Sequence, residues 1–292
     1  MIEEGQGIWR FKHPTIGDAF AALLLEDPEL MGIYLQSAPV EKLVYQVTCG
    51  DVGLEHAVIV PKTHFAAIQQ RISGPLTAPN SKDRMFSWRD TRMRFLARRC
   101  DRDFLREYLA RCPEVLDGVS EPGLALDADP IVELALRLFE LRLLPEVNGT
   151  AFLEAVTQYA VDGEDGYAIR DSEIRSMFRR PEWTQFVDRL RGNLVPSLPH
   201  VRREWERNHS SGEDPEQHME GFMGILDSLE REFPGDPAVV REVSFQRNAV
   251  KEWISEHYPE PEESGPPPRL LAHSPEASNP YQDRRVFDDV DA

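Results

Sequence analysis

Few residues of this chain have the type and spacing to do chemistry. His13 stands between an aromatic and charged segment, Trp9-Arg10-Phe11-Lys12, and a helix start at Pro14. Free backbone N–H groups at such a start offer an anion position, so His13 is a candidate to touch a nucleotide phosphate. The same placement suits a helix-capping or half-buried histidine, and the local sequence favours that use. His13 and Asp18 make a poor metal pair, because their spacing puts them on badly matched sides of a helix. A second set is Arg89, Arg92, Arg99, Arg102 and Arg106, which recur at three- to four-residue intervals or close multiples. Such a face can hold phosphate or an acidic surface. It can also be a solvated face with ion pairs to nearby acids. Its aromatic neighbours fit a core stripe better than a base-stacking platform, which argues against nucleic acid as the partner.

The missing motifs decide more. The sequence holds no GxxxxGK[ST] phosphate loop, no GxGxxG opening a helix, no HExxH, no GxSxG and no Cys/His cluster with metal spacing. No catalytic or metal-ligating residue is assigned, and no cofactor is expected on this chain alone. The plentiful carboxylates read as solvated faces, although an enzyme built on converging acids is a rival reading.

Composition sets the class. With 292 residues, 41% of them hydrophobic and 29% charged, the chain can bury one large core or two ordinary ones. A net charge of −18 excludes a general nucleic-acid-coating role, which needs a cationic surface. No apolar run is long enough for a membrane span, and the first residues lack the pattern of a secretory signal. Cys49, Cys100 and Cys112 are widely spaced, as in reduced thiols, so a cytoplasmic setting is expected.

The elements that would position these residues are mostly helices. Trp9 to Phe11 alternates like a short strand, and residues 14–26 form an amphipathic helix. Asp27-Pro28 starts another helix. Leu43 to Thr48 and Ala57 to Val60, joined through Gly50-Asp51-Val52-Gly53, read as a β hairpin. A further helix starts near Phe65. Together, residues 1–74 suggest a winged-helix-like module. An arginine-rich helical segment occupies 75–118, with nine arginines against four acids between Arg84 and Arg111. Residues 119–258 follow as an irregular α-helical array. The last 34 residues carry seven prolines, so 259–292 should form a disordered acidic tail. Its end, with Phe287, Asp288, Asp289 and Val290, could serve as a docking peptide. The expected fold class is therefore mainly α.

The segment from Trp9 to Phe20, with Cys49-Gly50 and Val58-Ile59-Val60-Pro61, resembles the region after the nucleotide-binding core in bacterial novel STAND NTPases. The resemblance covers about residues 8–72. It implies a winged-helix module that senses the nucleotide, with His13 at the phosphates, then a helical sensor that recognises a trigger. It also implies an antiphage role, as in a number of bacterial members. The family's phosphate loop and metal-binding acid are missing, so ATP or ADP would act only through an NTPase core joined to this chain. The expected partner is a protein, either such a core or an effector. The alternative is an independent helical adaptor that never contacts nucleotide.

Overall fold

Several helices begin where an aspartate supplies a cap. Asp27, Asp129, Asp214 and Asp236 each precede a proline, and each aspartate accepts backbone N–H groups of the first turn that follows. The proline fills a position whose N–H would have no helical partner, so the pair defines the start twice over. The computed structural model describes residues 2–5, 8–11, 23, 27–55, 57–74, 82–123, 125–210 and 212–258, with side chains from residue 23 onward except those of 82–87. The helix expected over 14–26, and with it His13, lies outside the described residues apart from Leu23. The tail 259–292 lies outside them too.

Two strands, β1 (Ile2–Gly5) and β2 (Ile8–Phe11), pair antiparallel. Helices α1 (Pro28–Ser37) and α2 (Val40–Gln46) lead into β3 (Val47–Cys49). Strand β4 (Val58–Val60) precedes a short 3-10 turn and α3 (Phe65–Ser73). Next come α4 (Lys82–Arg99), α5 (Arg102–Arg111) and α6 (Glu114–Val119). The array continues with α7 (Pro130–Glu140), α8 (Glu146–Asp162), α9 (Tyr167–Arg170) and α10 (Ser172–Met177). It ends with α11 (Arg180–Arg189), α12 (Val195–Asn208), α13 (Pro215–Glu232) and α14 (Pro237–His257). A single π turn, Leu190–Leu194, joins α11 to α12 just before Pro196, which has no N–H to continue the ordinary ladder. The protein is mainly α-helical, as its periodicity implies.

The hairpin expected over 43–60 is not formed. Val40–Gln46 is helical, and Val47–Cys49 runs parallel to Val58–Val60. All three β3 residues are buried, as in a parallel strand covered on both faces; a hairpin strand would leave one face wet. On the other side of β3 the Asp101 N–H donates to the Cys49 carbonyl at 2.8 Å, in a parallel bridge between Cys49 and Cys100. Gly50 makes this possible. Its φ of +79° is left-handed, and a Cβ there would lie 1.9 Å from Asp101 Oδ2. The arginine-rich segment likewise breaks at Cys100-Asp101, where Asp101 accepts the Phe104 N–H at 2.8 Å and caps α5. One hydrophobic core runs from Met31 to Val250, with α4 packed along α7, so the 75–118 segment joins its neighbours in a shared interior.

Candidate ligand-binding cleft

Three glycines let the helices of the array approach closely enough to frame a cleft. Gly163 ends α8 in the left-handed region at φ +76°, and a Cβ there would meet Val201 Cγ1 at 2.6 Å. Its carbonyl accepts the Trp205 indole N–H at 3.3 Å. Gly221 on α13 lies under the same indole, where a Cβ would come within 2.5 Å of Trp205 Cη2. Gly166 faces the α13 backbone at Ile225, with 3.0 Å between its would-be Cβ and Ile225 Cα.

Between these contacts lies a cavity of about 580 Å³, within the usual size of a small-ligand site. Its rim carries five carboxylates, Asp127, Glu164, Asp165, Glu213 and Glu220, against the single cation Arg170. Asp165 ties two loops together: Oδ1 accepts the Tyr167 N–H at 2.6 Å and Oδ2 the Leu126 N–H at 2.9 Å. Burial pushes its carboxyl above the usual range, and the two N–H bonds offset only part of that. Burial, helped by the neighbouring Asp171 carboxylate, raises the Tyr167 phenol to about 12. The Arg170 guanidinium lies 5.5 Å from the Tyr167 ring centroid.

The far wall is aromatic. His218 Nδ1 lies 3.0 Å from Glu213 Oε2, and Nε2 lies 2.7 Å from the Trp205 carbonyl oxygen. Behind it, His209 contacts His218 and Trp253 at 5.1 Å between centroids, and Trp253 stacks on His257 at 4.3 Å. These rings pin the end of α12 and the start of α13 to the last turns of α14. Among the described residues no group of three or more His, Cys, Asp or Glu could hold a metal ion, this cluster included.

The residues singled out from sequence are scattered. His13, Phe287, Asp288, Asp289 and Val290 lie outside the described residues. Arg89, Arg92 and Arg99 are on α4, whereas Arg102 and Arg106 are on α5. Arg99 donates to the Val47 carbonyl at 3.3 Å, and Arg106 pairs with Asp103 at 3.4 Å. Arg89 and Arg102 are exposed, while Arg92 is half-buried. Sequence reasoning missed the cleft, since its acids come from three separate loops and one helix. The only local signals were Gly163 and Gly166 flanking Glu164-Asp165. Among the described residues no helix is long and apolar enough to cross a membrane. No protein-family model matches the chain, and neither the curated proteins nor the solved structures yield a match.

Proposed function

We propose that this chain is a regulatory interaction module, the sensing part of a STAND-type nucleotide-controlled switch with no NTPase activity of its own. The observation that carries the interaction reading is the cleft. Five carboxylates line a cavity beside Trp205 and Tyr167, against one arginine. A lysine- or arginine-bearing segment of a protein partner suits that combination, through charge complementarity and cation–π contact. The rim acid Asp165 has a positional duty, which favours binding over catalysis.

Nucleotide control rests on the likeness around Trp9 to Phe20, Cys49-Gly50 and Val58 to Pro61, as does a part in antiphage defence. In this reading ATP or ADP binds a partner NTPase core, and His13 lies against its phosphates. The three cysteines are free, buried thiols, which suits a cytoplasmic setting. The adaptor reading draws on the same cleft and differs only in nucleotide control.

One experiment addresses both. The tagged chain is used to capture partners from its own cells with ATP or ADP present, and Glu164→Gln/Glu220→Gln serves as the cleft control. Capture that depends on the nucleotide and is lost in the cleft variant supports the switch. Capture indifferent to nucleotide makes the chain an adaptor, and capture unchanged in the cleft variant removes the cleft from the account.

A further inference from the structure

The chain leaves its described body at the rim of the acidic cleft. Helix α14 ends beside the cleft's aromatic wall, where Trp253 lies 6.4 Å from His218 between ring centroids and stacks on His257. The Tyr258 hydroxyl then donates to Glu216 Oε2 at 3.0 Å. Glu216 directly precedes Gln217 and His218, which line the cavity. Beyond Tyr258 the chain continues for 34 residues.

Only three arginines and no lysine occur in that continuation. Arg284 and Arg285 stand among Asp283, Asp288, Asp289 and Asp291, which cancel their charge locally. Arg269 differs. From Ser264 to Pro275 it has no acidic neighbour, and it follows Pro266-Pro267-Pro268 and precedes Leu270-Leu271. Proline fixes φ near about −65°, so a run of three loses little backbone entropy on docking. Pro-rich segments bearing an arginine suit grooves that combine aromatic rings with carboxylates. The cleft offers that combination: Tyr167 and Trp205 are half-buried and line it, and its carboxylates outnumber its cations five to one. A guanidinium can bond two carboxylate oxygens at once.

Reach is no obstacle. Arg269 comes eleven residues after Tyr258, a span of up to about 35 Å, and the cleft wall begins one residue from the side chain that Tyr258 holds. The intervening Glu260, Glu262 and Glu263 are repelled by the cleft, which confines the contact to the stretch around Arg269.

We propose that residues 265–272 of this chain occupy the acidic cleft as an internal competitor, with Arg269 among the carboxylates and the prolines against Tyr167 and Trp205. The inference rests on the cleft being a site for basic segments, and it adds how that site is regulated: a partner's lysine- or arginine-bearing segment must displace the tail. A tethered segment acts at an effective concentration of about millimolar, enough to hold off a free copy of itself.

The test uses a fluorescent synthetic peptide of residues 265–272, titrated with the purified full chain and followed by anisotropy. Arg269→Glu should bind the peptide at least about tenfold more tightly than the parent, because its own tail no longer competes. Arg284→Glu/Arg285→Glu should bind like the parent. Adding Glu164→Gln/Glu220→Gln to Arg269→Glu should abolish binding; both glutamates are exposed, so the change spares the core. Equal affinity in the parent and Arg269→Glu overturns the proposal, as does no binding by Arg269→Glu. A gain in Arg284→Glu/Arg285→Glu equal to that in Arg269→Glu, or binding that survives loss of the cleft acids, overturns it too. Partner capture in the Arg269→Glu background separates the two ideas. Capture that still needs Glu164 and Glu220 leaves the cleft reading standing when the tail fails, and capture that ignores them removes both.

Discussion

Asp165 is the residue on which the cleft's shape depends. Its two oxygens hold the N–H groups of Leu126 and Tyr167, so it fixes the loop before α7 against the loop before α9. Burial places its folded carboxyl above the range it has in the unfolded chain. Between those two values the folded state holds more protons, so this group lowers stability as pH rises through that window. Asp165→Asn removes the titration and sets an NH2 against one of the two donors. The expected loss is about 1–3 kcal/mol near neutral pH, from leaving a buried N–H unpaired. The variant's thermal stability should also fall less steeply with pH on the acid side, measured by melting curves from acid to neutral. An unchanged slope would assign the acid-side dependence to another group. Nothing in the order Glu164-Asp165-Gly166 announces this role. An aspartate just after a helix reads as a turn residue, and its second partner, Leu126, is supplied by a distant loop.

At the scale of elements, the junction of β3, Gly50 and α5 shows how far local pattern reaches. The Asp27-Pro28 start and the helical character of 119–258 were legible, because caps and apolar spacing are local. The parallel pairing of β3 and β4 was not. Two short β-branched runs separated by Gly50-Asp51-Val52-Gly53 look alike whether the chain reverses or returns, and burial of β3 on both faces is supplied by distant helices. The Cys49-Gly50 pair was noticed as part of a family likeness, whereas its physical duty is to let Asp101 approach and cap α5. Gly50→Ala should therefore lose both the left-handed backbone and the cap, together roughly 2–3 kcal/mol. Asp101→Ala alone should cost about 1 kcal/mol. The double variant should lose less than the sum, because the cap can be lost only once; denaturant melts of the four proteins complete the cycle. Strict additivity would mean that the two residues act separately.

For the whole molecule, the sequence suggested a module over 1–74, an arginine-rich helical segment over 75–118 and a helical array over 119–258, and one hydrophobic core runs through the described residues from Met31 to Val250. The continuity arises at α4. Its Phe95 packs on Phe104 of α5, which holds the N-terminal layer, while α4 also lies along α7 of the array and Arg98 pairs with Glu133 there. No sequence pattern displays this, since one amphipathic helix with a broad apolar face looks the same whether it serves one core or two. The consequence is thermodynamic. Two separate cores would melt in two steps, and damage to one would leave the other's midpoint in place. A shared core transmits damage. Gly50→Ala at one end and Gly163→Ala at the other both force a side chain into a left-handed position, and at Gly163 the new methyl also meets Val201. Each should cost at least about 1 kcal/mol, a shift of roughly 2–4 °C for a chain of this size. Calorimetry should show the same single transition moved by either variant, with far-ultraviolet circular dichroism and tryptophan fluorescence tracking it together. Two resolved transitions, each moved by only one variant, would show that α4 separates two bodies instead of joining them.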